Sequence, residues 1–189
     1  MPSLAIHLAI AKRYTELHPH KITSLSDFQK GSIAPDLNSD FSRILSKPEK
    51  MITHYYNQSG EYITNFNLFK QDKRIDLAND YWKGYYAHLL TDYLFYSISF
   101  KQETNLSSKD DNGFYNDFTI LTSRIIKNYH PIVDNSYLTD VIKHCLITKD
   151  GDCKYLEYTK VHSFIEKTAI ELDQAIQSIL SQKESDTKS

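Results

Sequence analysis

In the stretch Gly84–Asp92, GYYAHLLTD, a histidine and an aspartate stand four residues apart among aromatic and aliphatic neighbours. On a helix that spacing stacks His88 and Asp92 on one face, with Cβ atoms about 5 to 6 Å apart, so both can reach one ion or one hydrogen-bond partner. An aspartate beside Ala87, Leu89, Leu90 and Tyr93 must be paired, protonated or metal-bound, because an isolated buried carboxylate costs on the order of several kcal/mol. Three more residues of metal-ligand type sit in similarly apolar company: His7 in LAIHLAIA, Asp36 in GSIAPD and His54 in ITHYY. Taken singly, each has a plainer reading. His88 and Asp92 make a hydrogen-bonded core pair, His7 a core histidine, Asp36 a turn aspartate and His54 a member of an aromatic cluster. Their conjunction in one short chain is what points to a metal site.

The elements that must position these residues are helical. Only 5 Gly and 5 Pro punctuate 189 residues, and apolar residues recur at spacings of three and four far more often than they alternate. The pattern predicts an all-α, single-domain, multi-helix bundle. A first helix from Ser3, a good N-cap, to His18 sets Leu4, Leu8, Ala11 and Thr15 on one side and turns Ala5, Ala9 and Lys12 away. Pro19 ends it. A short helix from Ser24 or Ser26 leads into KGSIAPDLNSD, where Gly31, Pro35 and Asn38 argue against continuation and leave Asp36 in an ordered loop. Pro48 suits the first turn of a helix carrying His54, and EYITNFNLFKQD reads as another. The segment from Asp76 to Phe100 reads as the central, most buried helix. Helices follow from Asn112 to Tyr129, Ser136 to Ile147 and Tyr155 to Leu180, the last with a stripe of Val161, Ile165, Leu172, Ile176 and Ile179. Residues 1–180 form the expected domain, and the polar 181–189 reads as a frayed, disordered tail.

Composition excludes several classes of function. Lys plus Arg is 22 against 24 Asp plus Glu, a formal charge of −2, and with no basic stripe strong nucleic-acid binding is not expected. No apolar run is long enough to span a membrane. The start lacks the positive n-region and cleavage site of a signal peptide, which suggests a cytoplasmic protein. Cys145 and Cys153 are too few for a disulfide framework, and a lone C-x7-C has no usual zinc spacing, so both read as reduced thiols.

The order LAIHLAIAKRY, FQKGSIAPD, ITHYY, GYYAHLLTDYLF resembles the zinc-dependent phospholipase C family, whose helical fold is shared with single-strand-specific nucleases. The likeness covers residues 1 to about 100. It implies an all-α fold with zinc held at the floor of a cleft. Asp36, His54, His88 and Asp92 would bind one zinc, and Asp92 would bridge to a second ion bound by His7. Asp36 and Asp92 could also orient the attacking water. The implied activity is hydrolysis of a small-molecule or lipid phosphoester.

The chain departs from the family pattern after Asp92, where no histidine occurs until His130. His130 with Asp134, and His162 with Glu166, are downstream candidates by spacing alone. One or two zinc ions are therefore expected rather than three. The family also uses a free α-amino group as a ligand, and removal of Met1 before Pro2 would place an amine five residues ahead of His7. His18, His20 and His144 read as solvated or packed. Tyr55, Tyr56, Tyr81, Tyr85, Tyr86, Tyr93 and Tyr96 read as core with hydroxyls at the rim, where one or two could line a cleft. Two rival readings stand beside the hydrolase: a non-catalytic helical protein with one structural zinc, and an HD-type phosphohydrolase, disfavoured because no His-Asp dipeptide occurs.

Overall fold

The computed structural model describes residues 3–57, 63–98, 111–132, 139–149 and 151–186. Its elements are α1 (Leu4–Leu17), α2 (Leu25–Ile33), a 3-10 turn (Ala34–Asp36), α3 (Lys47–Thr53), α4 (Phe66–Gln71), α5 (Asp80–Ile98), α6 (Asp111–Tyr129), α7 (Asp140–Cys145) and α8 (Tyr158–Asp186). The all-α expectation is met. Among the described residues the only extended pairings are the isolated bridges Leu37–Ile44 and Tyr56–Thr64.

α1 and α5 share the centre. Every residue from Leu4 to Ala11 is buried, Ala5 and Ala9 included, so α1 has no face turned away there. It is wrapped by α2, α6 and α8, and touches α5. A helix apolar on all sides over two turns belongs inside the bundle rather than on it. The stripe Val161, Ile165, Leu172, Ile176 and Ile179 on α8 is buried as its spacing predicts.

The largest interface joins α2 to α5, and two glycines make it. A Cβ on Gly31 would lie 1.9 Å from the Tyr81 carbonyl oxygen, and one on Gly84 would lie 2.0 Å from the Phe28 carbonyl oxygen. Neither helix tolerates a side chain at the crossing. Gly31 is thus no helix breaker, as its sequence context suggested. It lies inside α2, where it costs helix propensity and allows backbone-to-backbone approach.

Several boundaries differ from those expected. Ser24, not Ser26, caps α2 by accepting from the Asp27 N–H. Of the described residues of EYITNFNLFKQD, Phe66–Gln71 are helical, entered through Asn65, whose side chain accepts from the N–H groups of Asn67 and Leu68. α5 starts at Asp80, four residues later than predicted, because Asp76 and Asn79 each receive backbone N–H bonds two residues on, at Ala78 and Tyr81. Such side-chain turns compete with helix. α7 is shorter than Ser136–Ile147, and residues 133–138 lie outside the described set. α8 runs to Asp186, so the tail expected from residue 181 is helical over Ser181–Asp186. Gln182, Lys183 and Glu184 are good helix formers, and propensity carries the helix beyond its apolar stripe. No described helix is long and apolar enough to cross a membrane.

Candidate metal centre

Four elements converge beneath the α2–α5 crossing. α1 brings His7, the 3-10 turn Asp36, the end of α3 His54, and α5 both His88 and Asp92. All five are buried.

Local structure fixes each of them. His88 Nδ1 lies 2.8 Å from the Ser32 carbonyl oxygen, one residue beyond Gly31. The helix crossing and the ring orientation are set together, and Nε2 is left to face inward. Pro35 and the turn at Ala34–Asp36 end α2 and drop Asp36 into the cluster. Ser46 and Glu49 cap the start of α3, with Glu49 Oε2 accepting from the Ser46 N–H at 2.8 Å. At the other end Tyr55 N bonds Ile52 O at 3.2 Å and Tyr56 N bonds Met51 O at 3.1 Å, a Schellman closure with Tyr55 at φ 53° where glycine is usual. His54 is therefore not mid-helix but the C-cap residue. Its Nδ1 lies 3.0 Å from the Lys50 carbonyl oxygen, and Thr53 ties the same turn to Pro35 O at 2.8 Å. Nε2 of His54 also faces inward.

The donor atoms are close, yet most are not hydrogen-bonded to one another. His54 Nε2 lies 3.2 Å from His88 Nε2, 3.6 Å from Asp36 Oδ1 and 3.4 Å from Asp92 Oδ2. His88 Nε2 lies 3.6 Å from Asp92 Oδ2. Zinc with nitrogen and oxygen donors at about 2.0 to 2.2 Å in a tetrahedron separates its donors by roughly 3.3 to 3.6 Å. The separations of His54 from His88, Asp36 and Asp92, and of His88 from Asp92, lie near that spacing. On the other side, Asp92 Oδ1 lies 3.5 Å from His7 Nε2, and the His7 ring stacks on His88 with centroids 3.9 Å apart.

The fit is tested by what is left over. Both oxygens of Asp92 and both ring nitrogens of His7 are buried without a hydrogen-bond partner, an arrangement that costs about 1 to 3 kcal/mol per group unless something else satisfies it. His7, His88 and Asp92 form one group able to hold a metal ion, and Asp36, His54 and His88 a second. His88 presents a single inward nitrogen and serves only one ion. Asp92 has two oxygens facing two sides, Oδ1 toward His7 and Oδ2 toward His54 and His88.

Electrostatics agree. Burial alone would raise the Asp92 carboxyl, but His88, His54 and His7 outweigh it and hold it well below the usual carboxylate range. Burial likewise opposes ionisation of Asp36, and His88, Lys50 and His54 prevail to lower it. His7 is pushed down to about 3, first by burial and then by the neighbouring His88, so it is a neutral imidazole with a lone pair to give. Burial lowers His88, while Asp92, Asp36 and the Ser32 carbonyl raise it to a net increase.

Two residues escaped the sequence reading. Lys50 places its ammonium on Asp36 Oδ1; its signal was K-x3-H, one turn ahead of His54, inside the run EKMITHYYN. Ser3 was expected to cap α1, but its side chain makes no cap bond and its hydroxyl is buried without a partner. Both line a cavity of about 310 Å³ that also reaches Asp36.

Of the downstream candidates, the described His130, His162 and Glu166 do not join the cluster. Glu166 accepts from Arg13 Nε at 2.8 Å and from the Tyr129 hydroxyl at 3.1 Å, and His162 contacts the same Tyr129 hydroxyl. That is a staple between α1, α6 and α8 on the half-exposed surface. Asp134 lies outside the described residues, as does Met1, whose amine had been considered. Cys145 and Cys153 are free thiols. Of the tyrosines, Tyr85 donates to Thr53 O at 2.6 Å and Tyr55 to Asp72 at 2.7 Å, so both hydroxyls brace the His54 turn and its surroundings.

Comparisons of the chain with protein-family models, curated proteins and solved structures return no match.

Proposed function

We propose that this chain is a metal-dependent phosphoesterase, with one zinc ion held by Asp36, His54, His88 and Asp92 and a second near His7 bridged through Asp92. The observation that supports it most is the buried, unpartnered Asp92 carboxylate set 3.4 to 3.6 Å from two inward-facing imidazole nitrogens. Imidazole and carboxylate donors suit zinc.

When bound, such an ion supplies a water of pKa about 7 and polarises a phosphoryl oxygen. The chain's own residues do the rest. His54 and His88 give imidazole nitrogen donors, each held by a backbone carbonyl on its far nitrogen. Asp36 and Asp92 offset the added charge, and the oxygens not spent on metal can take a proton from the attacking water. Asp36 is the donor that meets the cavity, so substrate would approach from its side. Two carboxylates, one Lys50 ammonium and one divalent ion leave the centre net positive, which favours an anionic ester.

A second reading has support in the same geometry, because four protein donors would close one tetrahedron as structural zinc sites do. Turnover separates the two. Protein purified without chelator or histidine tag should carry at least one zinc per chain and hydrolyse bis-p-nitrophenyl phosphate, with activity lost in His88→Ala and Asp36→Asn while helical circular dichroism persists. Bound zinc with no hydrolysis of any phosphoester tried would establish the structural role instead.

A further inference from the structure

The cavity beside Asp36 has a mixed lining. Asp36, the Lys50 ammonium and Ser3, whose hydroxyl is buried without a hydrogen-bond partner, are among its polar residues. Leu4, Leu37 and Phe118 are among its apolar ones. A volume of about 310 Å³ is at the small end of ligand pockets, which are mostly apolar with a few placed polar groups.

Lys50 is the only cation among the lining residues, with a side chain 16 % exposed against the 8 % of Asp36. It stands one helical turn before His54 on α3, so it shares the rigid element that orients a donor of the metal cluster. An ammonium is a compact charge suited to a phosphate oxygen, and the nearby serine hydroxyl can donate to a second oxygen. No other described lining residue brings positive charge to the pocket.

Building on the phosphoesterase reading, we infer that this cavity is the substrate pocket and that it selects a phosphoester carrying one compact apolar or aryl group. Lys50 is the positioning residue: together with Ser3 it clasps the phosphate, while Leu4, Leu37 and Phe118 receive the organic group. The volume suits a small soluble ester.

The test uses the full zinc-loaded chain with phenylphosphonate and inorganic phosphate as probes, measured by calorimetry. Phenylphosphonate should bind at least tenfold more tightly than phosphate. Lys50→Met should weaken both at least tenfold and raise KM more than it lowers kcat, with zinc content unchanged, and Lys50→Arg should recover binding to within about threefold. In a Cys153→Ala chain, phenylphosphonate should slow alkylation of Cys145, which lines the cavity. Phosphatidylcholine vesicles should not displace the probe.

Equal affinity for the two probes, indifference of binding to Lys50→Met, or unprotected Cys145 would overturn the pocket. Loss of zinc in Lys50→Met would show that Lys50 serves Asp36 rather than a ligand. Displacement by vesicles would overturn the size argument. If the binding results hold and no ester is turned over, the phosphoesterase reading fails and the pocket stands as an anion-binding site.

Discussion

Two buried aspartates in this protein have opposite surroundings. Asp117 on α6 is 1 % exposed and Asp92 on α5 is 2 % exposed. Asp117 accepts the backbone N–H groups of Lys154, Tyr155 and Leu156 at 3.0, 2.5 and 2.8 Å, and so pins the loop that leads into α8. Asp92 accepts none, although imidazole nitrogens stand on both its sides. A carboxylate that folding needs is surrounded by donors the fold supplies. One that a ligand needs is surrounded by other acceptors and lone pairs. Burial alone does not separate these cases; the partner list does.

The sharpest way to break the comparison is to remove both carboxylates in turn. Asp92→Asn should weaken zinc binding more than about hundredfold, beyond what loss of an outer hydrogen-bond partner costs, while the metal-free chain loses less stability than in Asp117→Ala because no backbone N–H group loses its acceptor. Competition with a fluorescent zinc chelator reads the first effect and calorimetric melting the second. Asp117→Ala should do the reverse, lowering stability by about 3 kcal/mol as three buried N–H groups lose their acceptor, with zinc affinity unchanged. Similar loss of zinc in both variants would erase the distinction.

Asp80 extends the test to pH. It accepts from Thr23 N, Thr23 Oγ1, Ser24 N and Lys83 Nζ at 2.6 to 2.8 Å. Burial opposes its ionisation, but Lys83, Thr23 and Ser24 lower its pKa overall. Its stabilisation is therefore present above the unfolded value of about 3.9 and lost as pH falls through the lower folded value. Urea unfolding should show Asp80→Asn less stable than the parent by about 2 kcal/mol at pH 7, and the gap should close below about pH 4. A gap that widens on acidification would contradict the assignment.

The smallest effect belongs to a residue that sequence spacing had made a ligand candidate. His162→Ala should change stability by less than about 0.5 kcal/mol and leave zinc content untouched, since His162 is half exposed and faces Tyr129. Altered zinc content would restore the downstream pair to the site.

What could be read in advance followed from local contrast. His7, Asp36, His54, His88 and Asp92 stand out because each interrupts apolar sequence, and the structure brings all five together. The helical class followed from periodicity alone. Lys50 did not stand out, because a lysine on a short helix is ordinarily solvated, and only the fold places its ammonium against Asp36. Gly31 was misread for a related reason: a glycine that breaks a helix and one that admits a neighbouring helix look alike until the neighbour is known. The burial of α1 on all sides from Leu4 to Ala11 was likewise invisible, since small alanines suit either face.

The contact of Gly31 and Gly84 with the opposing backbones has one more consequence. Two main chains pressed together have no side chains left to compress, so the span between the Ser32 carbonyl and His88 behaves as a fixed gauge. A Cβ at either glycine would push the two backbones apart and carry the Ser32 carbonyl away from His88 Nδ1, so the orientation of that ring rests on two absent methyl groups.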